Sequence, residues 1–187
     1  MEPSRIGITM GDPAGIGPEI IVKTLQEMLP EDRSRVVVIG NIDVLERASR
    51  LIGKGLIFSD SFTVDKGSIP VVHVQTAGVA SIKDGQLSAS AGEAAFRFVE
   101  KAAELSLDKL ISVIVTAPLN KAAMHLAGHK FDGHTELLAS ITGAKSSYML
   151  LAGPQLNAIH VTTHTSLANA AVTPSIQRVL DTIRIGN

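Results

Sequence analysis

Four side chains near the middle of the chain could act together on a charged small molecule: Lys121, His134, Thr135 and Glu136. They fall within Ile111 to Glu136, which reads ISVIVTAPLNKAAMHLAGHKFDGHTE. A lysine supplies a positive charge, and a histidine followed by a threonine at a helix start supplies donors for an oxyanion. The Gly133–Glu136 turn adds free backbone N–H groups and the positive end of a helix dipole. The chemistry these residues suggest is recognition of a phosphate or carboxylate.

The elements around them place them where ligands bind. The β-branched run Ile111 to Val115 predicts a buried strand, and Pro118 ends its hydrogen-bond ladder. Asn120 can cap a short helix through Ala122, Ala123 and Leu126 that Gly128 closes. A second helix starts at once after Gly133, with Leu137, Leu138 and Ile141. Lys121, His134, Thr135 and Glu136 therefore sit at a strand's carboxyl end or at helix starts, the ligand-binding edge of an open α/β sheet.

The rest of the chain alternates strand and helix. Ile6 to Met10 reads as a strand, followed by the glycine-rich loop Gly11 to Glu19 and a helix to about Leu29, with Ile20, Ile21, Thr24, Leu25 and Met28 inward. Arg35 to Gly40 is a buried strand, and Asn41 or Asp43 caps the helix after it. Leu56 to Phe58 and Val71 to Val74 are short strands, and Ala91 to Leu107 is a long helix. Tyr148 to Leu151 and Ala158 to Thr162 are strands, Thr163 to Thr173 is rich in loop, and Thr173-Pro174 caps a last helix. This pattern predicts an α/β fold, a largely parallel sheet with helices on both faces.

Composition excludes several classes. With 187 residues there is room for one good core, or one domain and part of another. No cysteine is present, which removes disulfides, thiolate nucleophiles and cysteine-bound zinc. A net charge of -1 gives no reason to expect nucleic acid or a membrane surface as a partner. No signal-peptide pattern or membrane-length apolar run occurs, so the expected compartment is the cytoplasm.

Other motifs stay open. The GDPAGIGPE loop lies between a strand and a helix, but Gly11, Gly15 and Gly17 do not fit the G-x-G-x-x-G spacing, so it is either a tight turn or a ligand loop. His73, His125 and His129 read as surface or packing residues. His160 and His164 have the spacing of a helical metal pair, yet Val161-Thr162-Thr163 favours a strand, along which four residues span about 13 Å. At most one of them serves a given metal, and His164, at the strand's carboxyl end, is the candidate.

Gly11 to Glu19, Thr116 to Lys121, Gly133 to Glu136 and Thr162 to His164 together resemble the 4-hydroxythreonine-4-phosphate dehydrogenase family in order and spacing. The wording MGDPAGIGPEI and TAPLNKAAMHLAGH looks closest to the branch acting on 4-phosphorylated threonate or erythronate. The resemblance implies an isocitrate/isopropylmalate dehydrogenase-like fold, with residues 1–115 in an N-terminal α/β domain and 116–187 opening a second, metal- and substrate-binding and dimerisation domain. It implies a homodimer with its site at the subunit interface, using NAD and a divalent metal (zinc, magnesium, cobalt or manganese). A secondary hydroxyl of a phosphorylated hydroxy acid would be oxidised to a β-keto acid that decarboxylates. By position, His134 and Thr135 would bind substrate, His164 would be one metal ligand, and Lys121 would bring positive charge near the phosphate or carboxylate in the catalytic site. Family members are much longer, and their other metal-binding histidines lie beyond the matched part, so the chain alone is expected to be an inactive fragment. A phosphate acyltransferase of the same fold family and a non-catalytic phosphate-binding module are the competing readings.

Overall fold

The computed structural model describes residues 5–53, 55–63, 67–163 and 165–187. The chain divides into two compact units, Met1–Gly143 and Ala144–Asn187. That division comes later than the 115/116 boundary read from the sequence, because the helices following residue 116 pack on a helix of the first unit.

In the first unit, β1 (Ile6–Thr9) leads through the glycine-rich loop to α1 (Gly17–Glu27). A single turn, α2 (Pro30–Arg33), precedes β2 (Val36–Gly40), every residue of which is buried. Then come α3 (Ile42–Leu51), β3 (Phe58–Asp60), β4 (Ile69–His73), the long α4 (Ala89–Leu107) and β5 (Val113–Thr116). Two short helices, α5 (Lys121–Leu126) and α6 (His134–Thr142), complete the unit. The apolar stripe of α1 is Ile21, Val22 and Leu25, while Ile20 faces outward. Asn41, not Asp43, caps α3, its side chain accepting from the Val44 N–H at 3.2 Å.

The sheet order is β3-β4-β2-β1-β5, with every pair parallel. From β1 the chain moves to β2, then out to β3 at the edge and back in to β4, and α4 then carries it to the far side of β1. Right-handed crossovers in opposite directions put α1 and α3 on one face and α4 on the other. Accordingly α1 packs with α3, and α4 packs on β1, β2 and β5. A core of Val36 to Ile39, Leu25, Leu45, Phe98 and Ala102 fills the layers between.

One expectation is corrected. The run Ile111 to Val115 is not a fully buried central strand: β5 is an edge strand, with Val113 50 % and Val115 46 % exposed. A β-branched run reports strand propensity, but the number of covered faces depends on which neighbours the topology supplies. Ile111 lies outside the strand and is 2 % exposed, filling the space that Gly7 leaves by having no side chain.

In the second unit, β6 (Leu150–Leu151) and β7 (Ala158–Ile159) form a short antiparallel ribbon instead of extending a parallel sheet. Two helices follow, α7 (Leu167–Val172) within the stretch expected to be loop, and α8 (Ile176–Gly186). Ser166 and Ser175 cap them; the expected cap at Thr173-Pro174 falls two residues early. The Arg178 guanidinium lies 4.0 Å over the Tyr148 ring and donates to the Val161 carbonyl at 3.0 Å, which ties α8 to the ribbon. No helix among the described residues is long and apolar enough to cross a membrane.

Candidate active site

Strand order reverses at β1. The loop after β1 runs to one face of the sheet and the loop after β5 to the other, so a crevice opens outside their carboxyl ends. The two loops are bound together. The Asp12 N–H donates to the Pro118 carbonyl at 2.9 Å, and the Ala117 N–H donates to the Thr9 carbonyl at 3.1 Å. Gly11 makes this joint possible: its φ is +71° and a Cβ there would run into the Pro118 carbonyl. An open cleft of about 530 Å³ lies over the joint, lined by Asp12, Gly15, Ile16, Pro118, Leu119 and Lys121 among others.

The chemistry of that cleft comes from both loops. The Asp12 side chain accepts from the Ala14 N–H at 2.8 Å and the residue is 6 % exposed. Burial raises its carboxyl above the ordinary aspartate value, and the Ala14 bond offsets only part of that. Lys121 is the first residue of α5 and is exposed, with no ion pair among the described residues. A cation at a helix N-terminus opposes the dipole by a few tenths of a kcal/mol or more, a local cost that suits a residue kept for a ligand.

His134 reaches the same joint from α6. Its ring hydrogen-bonds the Ala117 backbone, and its Nε2 is buried without a partner among the described residues. Burial lowers the imidazole pKa below the ordinary value, and the Ala117 bond opposes the shift without cancelling it. Burial favours the uncharged ring, and in the tautomer that carries its proton on Nδ1, Nε2 holds a free lone pair. Such a nitrogen accepts from a substrate hydroxyl, or takes up a proton when an oxyanion approaches. Gly133 precedes α6 with no side-chain cap, so the first-turn N–H groups remain available as donors. Thr135 is exposed in that turn. It does not cap the helix, since Gly133 holds that position.

The structure thus joins Lys121 and His134 to Asp12 through the two loops. Asp12 was not singled out in the sequence; only its place in a strand–loop–helix motif pointed to it. His164 lies outside the described residues. Among the described residues no three His, Asp or Glu side chains gather to hold a metal. His160 follows the end of β7, its N–H donating to the Met149 carbonyl at 2.9 Å. The other histidines have structural partners: His73 Nδ1 accepts from the Ile42 N–H at 3.1 Å, and His125 Nε2 lies 3.3 Å from the Phe131 carbonyl.

The lowered His134 pKa has a consequence for stability. The folded value lies below the unfolded one, so below about pH 6.5 the unfolded chain binds more protons. Stability is therefore lost as pH falls from 6.5 through the folded value. In urea titrations across this range, wild type is expected to lose more stability than His134→Gln. Parallel pH profiles would refute the buried, neutral imidazole.

Comparison with known proteins follows the same lines. Residues 32–187 match the family described as pyridoxal phosphate biosynthetic protein PdxA. D-threonate 4-phosphate dehydrogenase of Cupriavidus necator is 45 % identical over 169 residues, covering 88 % of this chain and 51 % of that protein. 4-Hydroxythreonine-4-phosphate dehydrogenase of Geobacter metallireducens is 37 % identical over 186 residues, covering 97 % of this chain and 55 % of that protein. The crystal structure of a 4-hydroxythreonine-4-phosphate dehydrogenase from Burkholderia phymatum superposes with a TM-score of 0.89 at 40 % identity, covering 98 % of this chain and 57 % of that one. The chain spans about half the length of the curated relatives it matches. The names of these relatives agree with an oxidoreductase, not a phosphate acyltransferase. With the match over residues 32–187 and the parallel α/β fold, the chain belongs to the pyridoxal phosphate biosynthetic protein PdxA family.

Proposed function

We propose that this chain forms part of the active site of an NAD- and divalent-metal-dependent dehydrogenase that oxidises the secondary hydroxyl of a 4-phosphorylated hydroxy acid. The substrate is 4-hydroxythreonine 4-phosphate, 4-phospho-D-threonate or 4-phospho-D-erythronate. Bound NAD would supply the acceptor for the carbinol hydride, the hydroxyl proton would go to a base, and the β-keto acid formed would lose carbon dioxide. The observation that carries this reading is His134, whose buried, unpartnered Nε2 lies by the joined loops at the start of an uncapped helix.

Each residue has a role in this reading. His134 Nε2 and the exposed Thr135 hydroxyl hold substrate oxygens, and the α6 N–H groups supply donors to an anion. Lys121 offsets negative charge at the cleft. Ile16, 64 % exposed, lines the cleft with Pro118 and Leu119 and gives it an apolar flank that suits a flat ring, and Lys121 belongs to the same lining. Among the described residues no three His, Asp or Glu side chains assemble a metal site. A homodimer with its site at the subunit interface and a cytoplasmic location belong to the same reading.

Calorimetric titration with 4-phospho-D-threonate, 4-phospho-D-erythronate and unphosphorylated D-threonate tests it. The phosphorylated acids are expected to bind at least tenfold tighter than the unphosphorylated one. Equal affinities would remove the anion site from this chain. No NADH is expected from the chain by itself with NAD and zinc or cobalt, since a catalytic metal needs about three protein ligands. Turnover would show that the chain holds ligands not assigned to it.

A further inference from the structure

His134 sits at the end of a short loop whose anchoring the proposed chemistry does not use. α5 closes with two hydrogen bonds, the Gly128 N–H to the His125 carbonyl at 3.0 Å and the His129 N–H to the Met124 carbonyl at 2.9 Å. Gly128 has a φ of +94°, so the motif turns the chain sharply back toward α4. His129 is the first residue delivered by that turn.

It lands in a prepared place on α4. Its ring stacks on Phe96 with centroids 3.6 Å apart and planes 3° from parallel. Its Nε2 lies 2.6 Å from Glu93 Oε2. Arg97 donates to the other Glu93 oxygen at 2.7 Å and to Glu100 at 2.7 Å, and its guanidinium lies 5.4 Å from the Phe96 ring centre. Two residues on, Phe131 also stacks toward Phe96, at 6.4 Å. Glu93, Phe96, Arg97 and Glu100 follow helical spacing, so one stripe of α4 grips the loop. Only four residues separate His129 from His134, and Leu137, one turn beyond, is fully buried against Val99 and Met124.

We propose that His129, stacked on Phe96 and bonded to Glu93, is a positioning residue that fixes the 129–133 loop and so sets where His134 presents its Nε2. The functional weight of this clasp rests on the role given to His134 above, but the clasp can be tested without any ligand. With a proton on Nε2, the His129 ring donates to the Glu93 carboxylate. Burial would raise the Glu93 carboxyl, but the hydrogen bonds from His129 and Arg97 outweigh it and hold the carboxyl below its ordinary value. Glu93 therefore stays ionised until the pH falls well into the acid range.

The test follows the His134 ring and the hydrogen-bonded Leu137–Ile141 amides of α6 by NMR in wild type, His129→Ala and Glu93→Gln. Glu93→Gln keeps the shape of the carboxylate and guards against a His129 variant that fails to fold. Both variants are expected to speed amide exchange at Leu137–Ile141, the first hydrogen-bonded amides of α6, at least tenfold and to shift the His134 titration upward, toward the ordinary histidine value. Val22→Ala, on the buried face of α1, serves as a control of lowered global stability and is expected to leave the His134 titration in place. Unchanged His134 titration and exchange in both clasp variants would overturn the proposal, whatever ligand binding shows. A loosened His134 with unaltered binding of 4-phospho-D-threonate would support the clasp and count instead against the substrate role of His134.

Discussion

His134→Ala is expected to weaken binding of a 4-phosphorylated hydroxy acid about ten- to a hundredfold and to abolish the proton uptake that accompanies binding. The magnitude is that of one hydrogen bond to a charged group, about 1.5–3 kcal/mol. The proton follows from the site's electrostatics. In the free chain burial favours the neutral imidazole, and Nε2 has no partner among the described residues. An anion seated at the α6 N-terminus reverses the balance, because a nearby negative charge favours the protonated ring. Binding near neutral pH should therefore draw a proton from solution and tighten as pH falls. Calorimetry in two buffers of different ionisation enthalpy measures that uptake. Lys121→Met should also weaken binding and flatten its salt dependence, yet leave proton uptake intact, because it removes a charge and not the titrating group. Undiminished proton uptake in His134→Ala would assign the proton to another residue and remove His134 from the anion site.

The second large effect concerns Gly92. In an exposed helix interior, Gly→Ala stabilises by roughly 1 kcal/mol, so a rule based on propensity alone makes Gly92→Ala favourable within α4. The packing reverses the sign. A Cβ at Gly92 would meet the backbone of α5 at the Ala123 carbonyl and the Met124 nitrogen, and backbone cannot swing aside as a long side chain can. Overpacking of this kind costs about 1–3 kcal/mol or more, which outweighs the propensity gain. Gly92→Ala is therefore expected to lower stability and to push α5 off α4. Lys121 opens α5, and His129 lies just past the helix's end, so anion binding should fall in parallel. Chemical denaturation and calorimetry on the same variant check both. A more stable Gly92→Ala chain would mean that the close α4–α5 approach is not as described.

Much of the fold was legible because it rests on local patterns. Val36 to Ile39 could only be a doubly covered strand, and the Ala91, Ala94, Ala95, Phe98 and Ala102 spacing could only be a helix with one buried face. The caps at Asn41 and Asn120 and the stop at Gly128 follow from side-chain and backbone chemistry within a few residues. The errors came where local pattern is silent. Val113 and Val115 have the propensity of a central strand, but an edge position left one side open. Ala158 to Thr162 was equally β-branched, and only its pairing with Leu150 and Leu151 made it antiparallel and short.

The candidate site divides in the same way. The sequence by itself determined which residue types lie at strand ends and helix starts, and hence that Lys121 opens one helix and His134 and Thr135 the next. Motif order also pointed to the family. Only the tertiary structure brought Asp12 beside Pro118, bonded His134 to the Ala117 backbone, and paired His129 with Glu93 across 36 positions. Those contacts depend on the reversal of strand order at β1 and on the close approach of α5 to α4. Both are long-range outcomes of how the whole hydrophobic core is shared out, so no window of neighbouring residues carries them.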